Sequence, residues 1–160
     1  MNKRKPMTKE KYAEIIGKIK LNAMYLKSSS GEIDRDAFFQ GKEAEHLINI
    51  IDEPSMAVKA NDTVDVIHRY CVEMMLKTAE VKAAGKIECA FCLNYSPASC
   101  FSPEFFEEFK KANLHINTWP FFREFVYNMT ARMNIPPITL PLLKARKKQE
   151  KPPEKKKKQT

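Results

Sequence analysis

The clearest pattern of apolar and polar positions is helical and lies in the last third of the chain. We expect a helix from Thr118 to Met133, with Thr118 as the N-cap and Pro120 in the first turn, where its nitrogen needs no intrahelical acceptor. Asn134 and Pro136 should end it, because proline biases the preceding residue away from the α region. The apolar positions recur at the spacings typical of a broad helical face: Phe121, Phe122, Phe125, Val126, Met129 and Met133.

Alternation of apolar and polar residues predicts strands earlier in the chain. The side chains of residues 15–26 alternate between an apolar and a polar face, as in a strand. The serine-rich turn at residues 28–31 should end this strand. Residues 64–77 alternate in the same way, but Asp62 or Thr63 could cap a helix there. The local pattern therefore leaves strand and helix open for this segment.

Gly85 marks the next predicted turn. We expect a hairpin at residues 82–86, followed by a return strand with Glu88 and Asn94 facing outward. The inward-facing positions of this strand would be Ile87, Cys89, Phe91, Leu93 and Tyr95.

Two shorter segments complete the set of elements. Residues 44–51 are too short and too apolar to distinguish strand from helix, and residues 52–54 should close this segment. Ser102 as N-cap and Pro103 at the first position predict a helix that ends at Asn113. The order of elements predicts an α+β fold, a four-stranded antiparallel sheet with C-terminal helices packed on one face.

The charge pattern divides the chain into three parts. The net charge of +8 comes mainly from basic residues at both ends, which carry too few apolar side chains to form a core. We therefore expect a basic disordered N-terminus at residues 1–11, one domain at 12–143 and a Lys-rich disordered tail at 144–160. Such ends usually only solvate the protein, although they could also attract nucleic acid.

The start of the chain lacks the apolar stretch of a signal peptide, and no apolar run is long enough to cross a bilayer. We therefore expect a cytoplasmic protein with reduced cysteines. Cys89, Cys92, Cys100 and His115 could supply four zinc ligands on paper. However, positions three apart on a strand point to opposite faces, so we expect no metal site.

The sequence does not predict an enzyme. It contains no Gly-rich phosphate loop, no HExxH motif and no nucleophile elbow. His46, His68 and His115 are scattered, and each is better interpreted as a structural histidine than as a catalytic base. We expect no cofactor and no small-molecule substrate.

The residues around the long helix resemble the protein-export chaperone family SecB. In that family an aromatic-Pro step opens the helix and an Arg-Glu pair follows one turn later. The similarity covers the last third of the chain, and the strand-rich part agrees in its order of elements, which favours a strand at residues 64–77. The matching residues are Trp119, Pro120, Arg123, Glu124, Met129, Arg132, Pro136 and the Leu-Pro-Leu-Leu of residues 140–143.

The resemblance implies an ATP-independent holdase chaperone. Proteins like SecB are homotetramers, built as dimers of dimers, that bind non-native preproteins in hydrophobic grooves and pass them to the SecA motor. By position, Arg123, Glu124 and Phe125 would pack between protomers. The client-binding residues would be Phe38 and Phe39 in a crossover loop, and Ile138, Leu140, Leu142 and Leu143 after the long helix.

The apolar strip at residues 138–143 suits this function independently of the resemblance. The segment ITLPLL cannot be a helix interior, and an extended apolar strip near an exposed sheet edge suits the capture of unfolded chain. After Leu143, however, the second amphipathic helix of the family would be at best a short, charged stub, and an acidic surface that would dock SecA is not evident. The alternatives are a chaperone dedicated to an antitoxin of a toxin–antitoxin system, or a nucleic-acid-associated protein that acts through its Lys-rich ends.

Overall fold

The computed structural model describes residues 7–40, 44–77 and 79–143. The predictions for residues 1–6 and for the tail at 144–160 fall outside these ranges. A short 3₁₀ turn at Ala98–Cys100 follows the last strand. The main elements are α1 Lys9–Lys18, β1 Lys20–Ile33, α2 Arg35–Gln40, β2 Glu45–Val58, β3 Val64–Lys77, β4 Val81–Ser96, α3 Pro103–Phe109 and α4 Asn113–Arg132.

The four strands form one antiparallel sheet in the order β1-β4-β3-β2. Alternate side chains of β3 are buried, as the strand interpretation of residues 64–77 requires, and α4 packs across β3 and β4. The ring of Tyr70 on β3 stacks on Phe122 of α4 with centroids 4.1 Å apart. The predicted fold class, a four-stranded antiparallel sheet with C-terminal helices, is confirmed.

The boundaries of the two C-terminal helices differ from those that the sequence predicts. The Ser102 cap is confirmed, since its Oγ accepts the Phe105 N–H at 3.2 Å. However, α3 already ends at Phe109. Helix α4 begins at Asn113, so Thr118 is not its N-cap but a fully buried residue inside the helix. Tertiary hydrogen bonds to Thr118, described below, explain why the polar residue lies there.

Asn134 ends α4 as predicted. It adopts a left-handed conformation with φ of 55°, and its N–H bonds to the Ala131 carbonyl at 3.0 Å. The Ile135 N–H bonds back to the Thr130 carbonyl at 3.2 Å, and the Ile135 side chain is buried. This pair of bonds is a Schellman motif, which turns the chain back toward the helix.

The N-terminal region is more helical than predicted. Helix α1 begins at Lys9 because Thr8 caps it, with the Lys11 N–H donating to Thr8 Oγ1 at 3.3 Å. The predicted disorder is therefore wrong for residues 9–11, and the predicted strand is wrong for residues 15–18. Strand β1 instead continues through the serines to Ile33, because pairing with β4 supplies the backbone partners that a turn would otherwise provide.

Strand β2 settles the open interpretation of residues 44–51. This segment is a strand, and it continues through Pro54 to Val58, so the predicted stop at residues 52–54 is wrong. Among the described residues β2 pairs only with β3, and an edge strand tolerates a proline that cannot donate to the ladder.

The predicted hairpin at residues 82–86 is also wrong, because β3 ends at Lys77 and β4 already starts at Val81. Gly85 lies inside β4, opposite Ile33 and Met74. A Cβ at this position would come within 2.9 Å of the Glu32 carbonyl oxygen. Gly85 therefore permits close approach of neighbouring strands instead of forming a turn. The predicted inward positions from Ile87 to Tyr95 are all buried.

Candidate client-binding groove

The segment after α4, residues 136–143, has no regular secondary structure and runs back along the helix. Three hydrogen bonds fasten it there. The Ile138 N–H donates to Thr130 Oγ1 at 3.1 Å, and Arg123 Nε donates to the Leu140 carbonyl at 2.7 Å. Trp119 Nε1 donates to the Pro141 carbonyl at 2.9 Å. The contacts reach progressively earlier turns of α4, so the chain is antiparallel to the helix.

This arrangement splits the predicted apolar strip. The side chain of Leu140 is buried in the core of the protomer. The prediction that Leu140 is available to clients is therefore wrong. Ile138 is partly buried. Leu142 and Leu143 remain 69% and 46% exposed. Only the last part of the strip is therefore a free apolar surface.

Phe38 and Phe39 lie on the short helix α2, not in the predicted loop. Their side chains point in different directions, as those of adjacent helical residues must. Phe38 is buried, with its ring edge-on to His46 at 4.7 Å between centroids. Phe39 is exposed and lies under the Arg35 guanidinium at 5.6 Å. Phe38 therefore lines a surface cavity, which is described next, whereas Phe39 is not among the lining residues of that cavity.

The structure brings Phe38 and Ile138 together across one cavity. The cavity has a volume of about 230 Å³ and joins α2, the edge strand β2 and the post-helix segment. Its remaining lining residues are His46, Leu47, Ile48, Met74, Met75, Pro136 and Pro137. The lining is almost entirely apolar, and a cavity of this shape suits side chains of a bound polypeptide.

The outer edge of β2 borders this cavity. No other described strand pairs with that edge, so its backbone N–H and C=O groups face outward. Ile48, Ile51 and Val58 on this strand are exposed, Ile48 by 45%. An extended peptide could therefore add to the sheet while its side chains enter the cavity. We refer to the cavity and the adjoining edge of β2 as the groove.

A second cavity of about 550 Å³ lies on the other side of the same methionine pair. It shares Met74 and Met75 with the groove and is lined also by Ile33, Val81 and Ala83. Methionine side chains are flexible and polarizable, so they suit surfaces that accept different partners. The sequence does not indicate Leu47 or Ile48 as lining residues, because they resemble core residues in an apolar strand.

The opposite face of the sheet has a different character. A concavity of about 510 Å³ there is lined by Arg69, Glu73, Lys86 and Glu88 among smaller residues. Charged side chains are costly to desolvate. This face is therefore a poorer site for apolar segments than the groove.

The three residues predicted at an oligomer interface make contacts within the chain. Arg123 binds the Leu140 carbonyl, Glu124 accepts a hydrogen bond from Asn128 Nδ2, and Phe125 packs partly buried against the core. Arg123 and Glu124 therefore have separate partners, as adjacent helical residues should. Their role between protomers stays a prediction.

The four cysteines are free thiols, and burial raises the pKa of the Cys89 thiol to about 12. Among the described residues they do not form a group with metal-ligand spacing. No helix in the described ranges is long and apolar enough to span a membrane.

No protein-family model and no curated protein matches this chain. Its sheet order and C-terminal helices nevertheless define a SecB-like fold, as the resemblance implies. One similar solved structure is that of the Mycobacterium tuberculosis SecB-like chaperone Rv1957 in complex with a ChAD peptide from the Rv1956 HigA1 antitoxin. It matches with a TM-score of 0.69 and 15% identity, covering 87% of this chain and 100% of that chain.

A second solved structure, of a protein of unknown function from Streptococcus agalactiae, has a TM-score of 0.29 and 11% identity. It covers 78% of this chain and 97% of that chain. This similarity is too low to support an argument. The comparison with Rv1957 shows the fold alone, because the sequence identity is low.

Proposed function

We propose that this protein is an ATP-independent chaperone that binds apolar segments of non-native polypeptides in the groove. The observation that carries the proposal is the meeting of Phe38 and Ile138 across one apolar cavity beside β2, whose outer edge pairs with no other described strand. Backbone pairing along β2 would give affinity without sequence specificity, and the cavity would select apolar side chains.

This function requires no chemical step. A protein that binds only the unfolded form of a client lowers the concentration of free unfolded chain by mass action. We therefore propose a holdase, not an enzyme. Met74 and Met75 support this function, because their flexible side chains can adapt to clients of different sequence.

An antitoxin is the more specific candidate client. It is supported by one observation, namely that the SecB-like neighbour was solved with a peptide from an antitoxin. Transfer of clients to a SecA-type motor and assembly into a tetramer stay predictions from the resemblance. Light scattering tests the assembly, which should have about four times the 18.5 kDa mass of one chain; a monomer would contradict it.

Suppression of aggregation by purified protein, without ATP, tests the chaperone function. We expect the wild-type chain to prevent light scattering when a chemically unfolded protein is diluted from denaturant. Ile48→Lys should abolish this effect, because a charge in the groove would be desolvated by a bound apolar segment.

Ile116→Lys is the matched control. Ile116 is 62% exposed and lies near the start of α4, whereas the groove adjoins the segment after the end of that helix. This variant should suppress aggregation as well as the wild type does. Equal suppression by Ile48→Lys would refute the groove as the binding site, and no suppression by the wild type would refute the chaperone function.

A further inference from the structure

Two histidines and one aspartate from three elements converge at the β2 edge near the start of α4. Nε2 of His68 on β3 lies 3.0 Å from Oδ2 of Asp52 on β2. Nε2 of His115 on α4 lies 3.2 Å from the same oxygen. All three atoms lie within 4.8 Å of one another. Asp52 lies on β2, whose outer edge belongs to the groove, but none of the three residues lines the cavity of the groove, and the cluster has no part in the proposed function.

The hydrogen bonds on the far side of His68 are consistent with a proton on its Nδ1. The Thr118 hydroxyl donates to the Leu114 carbonyl at 2.9 Å. In this arrangement Thr118 Oγ1 accepts from both neighbours, the Tyr70 hydroxyl at 2.8 Å and His68 Nδ1 at 2.9 Å. Neutral His68 then carries its ring proton on Nδ1.

The same reasoning applies to His115. Its Nδ1 lies 2.8 Å from the Lys110 carbonyl oxygen, which is an acceptor only. The proton of neutral His115 therefore also lies on Nδ1. In both histidines the unprotonated Nε2 faces the Asp52 carboxylate.

In these tautomers three electron-pair donors, the two Nε2 atoms and the Asp52 carboxylate oxygen, face one another. A cation at the centre of the cluster would be bound by all three donors and would offset their mutual repulsion.

We propose that Asp52, His68 and His115 bind a divalent transition-metal ion of the zinc class. Imidazole nitrogen and carboxylate oxygen are zinc ligands, and bonds of the usual length place tetrahedral ligand atoms about 3.4 Å apart. The two histidine nitrogens lie 3.0 Å and 3.2 Å from Asp52 Oδ2 and within 4.8 Å of each other, so side-chain movements would bring the three atoms to this spacing.

The surroundings of the cluster match those of known metal sites. Histidines that bind metals usually donate their other ring N–H to a carbonyl, a carboxylate or water, which fixes the ring orientation. His115 donates to a carbonyl and His68 to a buried hydroxyl. The Asp52 and His115 side chains are 35% and 26% exposed, so a fourth coordination position would face solvent.

Metal titration of the full-length chain tests this proposal. After chelator treatment, we expect calorimetry to show one Zn²⁺ ion bound per chain and Zn²⁺ to raise the thermal unfolding midpoint, because the site joins β2, β3 and α4. Asp52→Asn and His115→Gln should each weaken binding about a hundredfold. Neither residue is fully buried, so both variants should fold. Glu53→Gln is the matched control on the next residue of β2 and should bind like the wild type.

Cobalt separates this site from the free cysteines. Co²⁺ bound by nitrogen and oxygen should give a visible spectrum without a thiolate charge-transfer band, and Asp52→Asn should remove it. Binding that persists unchanged in both Asp52→Asn and His115→Gln would overturn the assignment. A thiolate band in the wild type, or no binding of either metal, would overturn it as well.

Discussion

Gly85 illustrates how one residue acquires its role from partners distant in sequence. It lies opposite Ile33 on one neighbouring strand and Met74 on the other. A Cβ would meet the Glu32 carbonyl at 2.9 Å and the Met74 Cε at 2.7 Å. The methionine end can move, but the backbone oxygen cannot without shifting β1. The glycine is therefore required for the spacing of the strands.

We predict that Gly85→Ala lowers the free energy of unfolding by about 1–3 kcal/mol, as overpacking does elsewhere. Urea denaturation measures this. Gly17→Ala is the control, because a Cβ at Gly17 in α1 meets nothing within 4 Å. That variant should be neutral or stabilising by up to about 1 kcal/mol. Equal stability of the two variants would contradict the close approach at Gly85.

Thr118 is a second residue whose role depends on its surroundings. Its hydroxyl is the common partner of Tyr70 and His68, all three being buried. Thr118→Val keeps the shape but leaves two buried polar groups without this hydrogen-bond partner, so we predict a loss of about 2–4 kcal/mol in the free energy of unfolding. Thr139→Val, at an exposed threonine, should change it by less than about 0.5 kcal/mol. Thermal or urea unfolding of the two variants measures this difference in stability.

At the scale of elements, the segment after α4 has an inner and an outer side. Leu140 belongs to the core, whereas Leu142 is exposed. We predict that Leu140→Ala costs about 2–5 kcal/mol of stability through the cavity it leaves. Leu142→Ala should change stability by less than about 0.5 kcal/mol. Similar losses for both variants in urea denaturation would show that the segment does not lie on α4 as described.

Elements with a regular apolar pattern could be predicted only in part from the sequence. The inward positions of β4 follow from local alternation, whereas residues 64–77 fit a strand or a helix locally and are assigned to a strand through the resemblance. Pro54 and Gly85, by contrast, are read locally as breakers. Their actual roles depend on whether a strand lies at the edge or in the middle of the sheet. That position is decided by segments far away in the chain.

At the scale of the whole molecule, the groove is assembled from segments near both ends of the domain. The resemblance indicated Phe38 and Ile138 separately, and the fold places them across one cavity. Ile48 could not be recognised, because an exposed isoleucine on an edge strand has the same sequence pattern as a buried one. The cluster of Asp52, His68 and His115 also escaped detection, since these residues meet only in the folded chain.

The claim that clients bind in the groove can be tested by a direct measurement. A photo-crosslinking amino acid placed at position 48 should form adducts with an unfolded client, and the adducts should map to apolar segments of that client. The same amino acid at position 116 should form few. Equal labelling from both positions, or labelling from position 116 alone, would contradict the account of the groove as the site where this protein holds its clients.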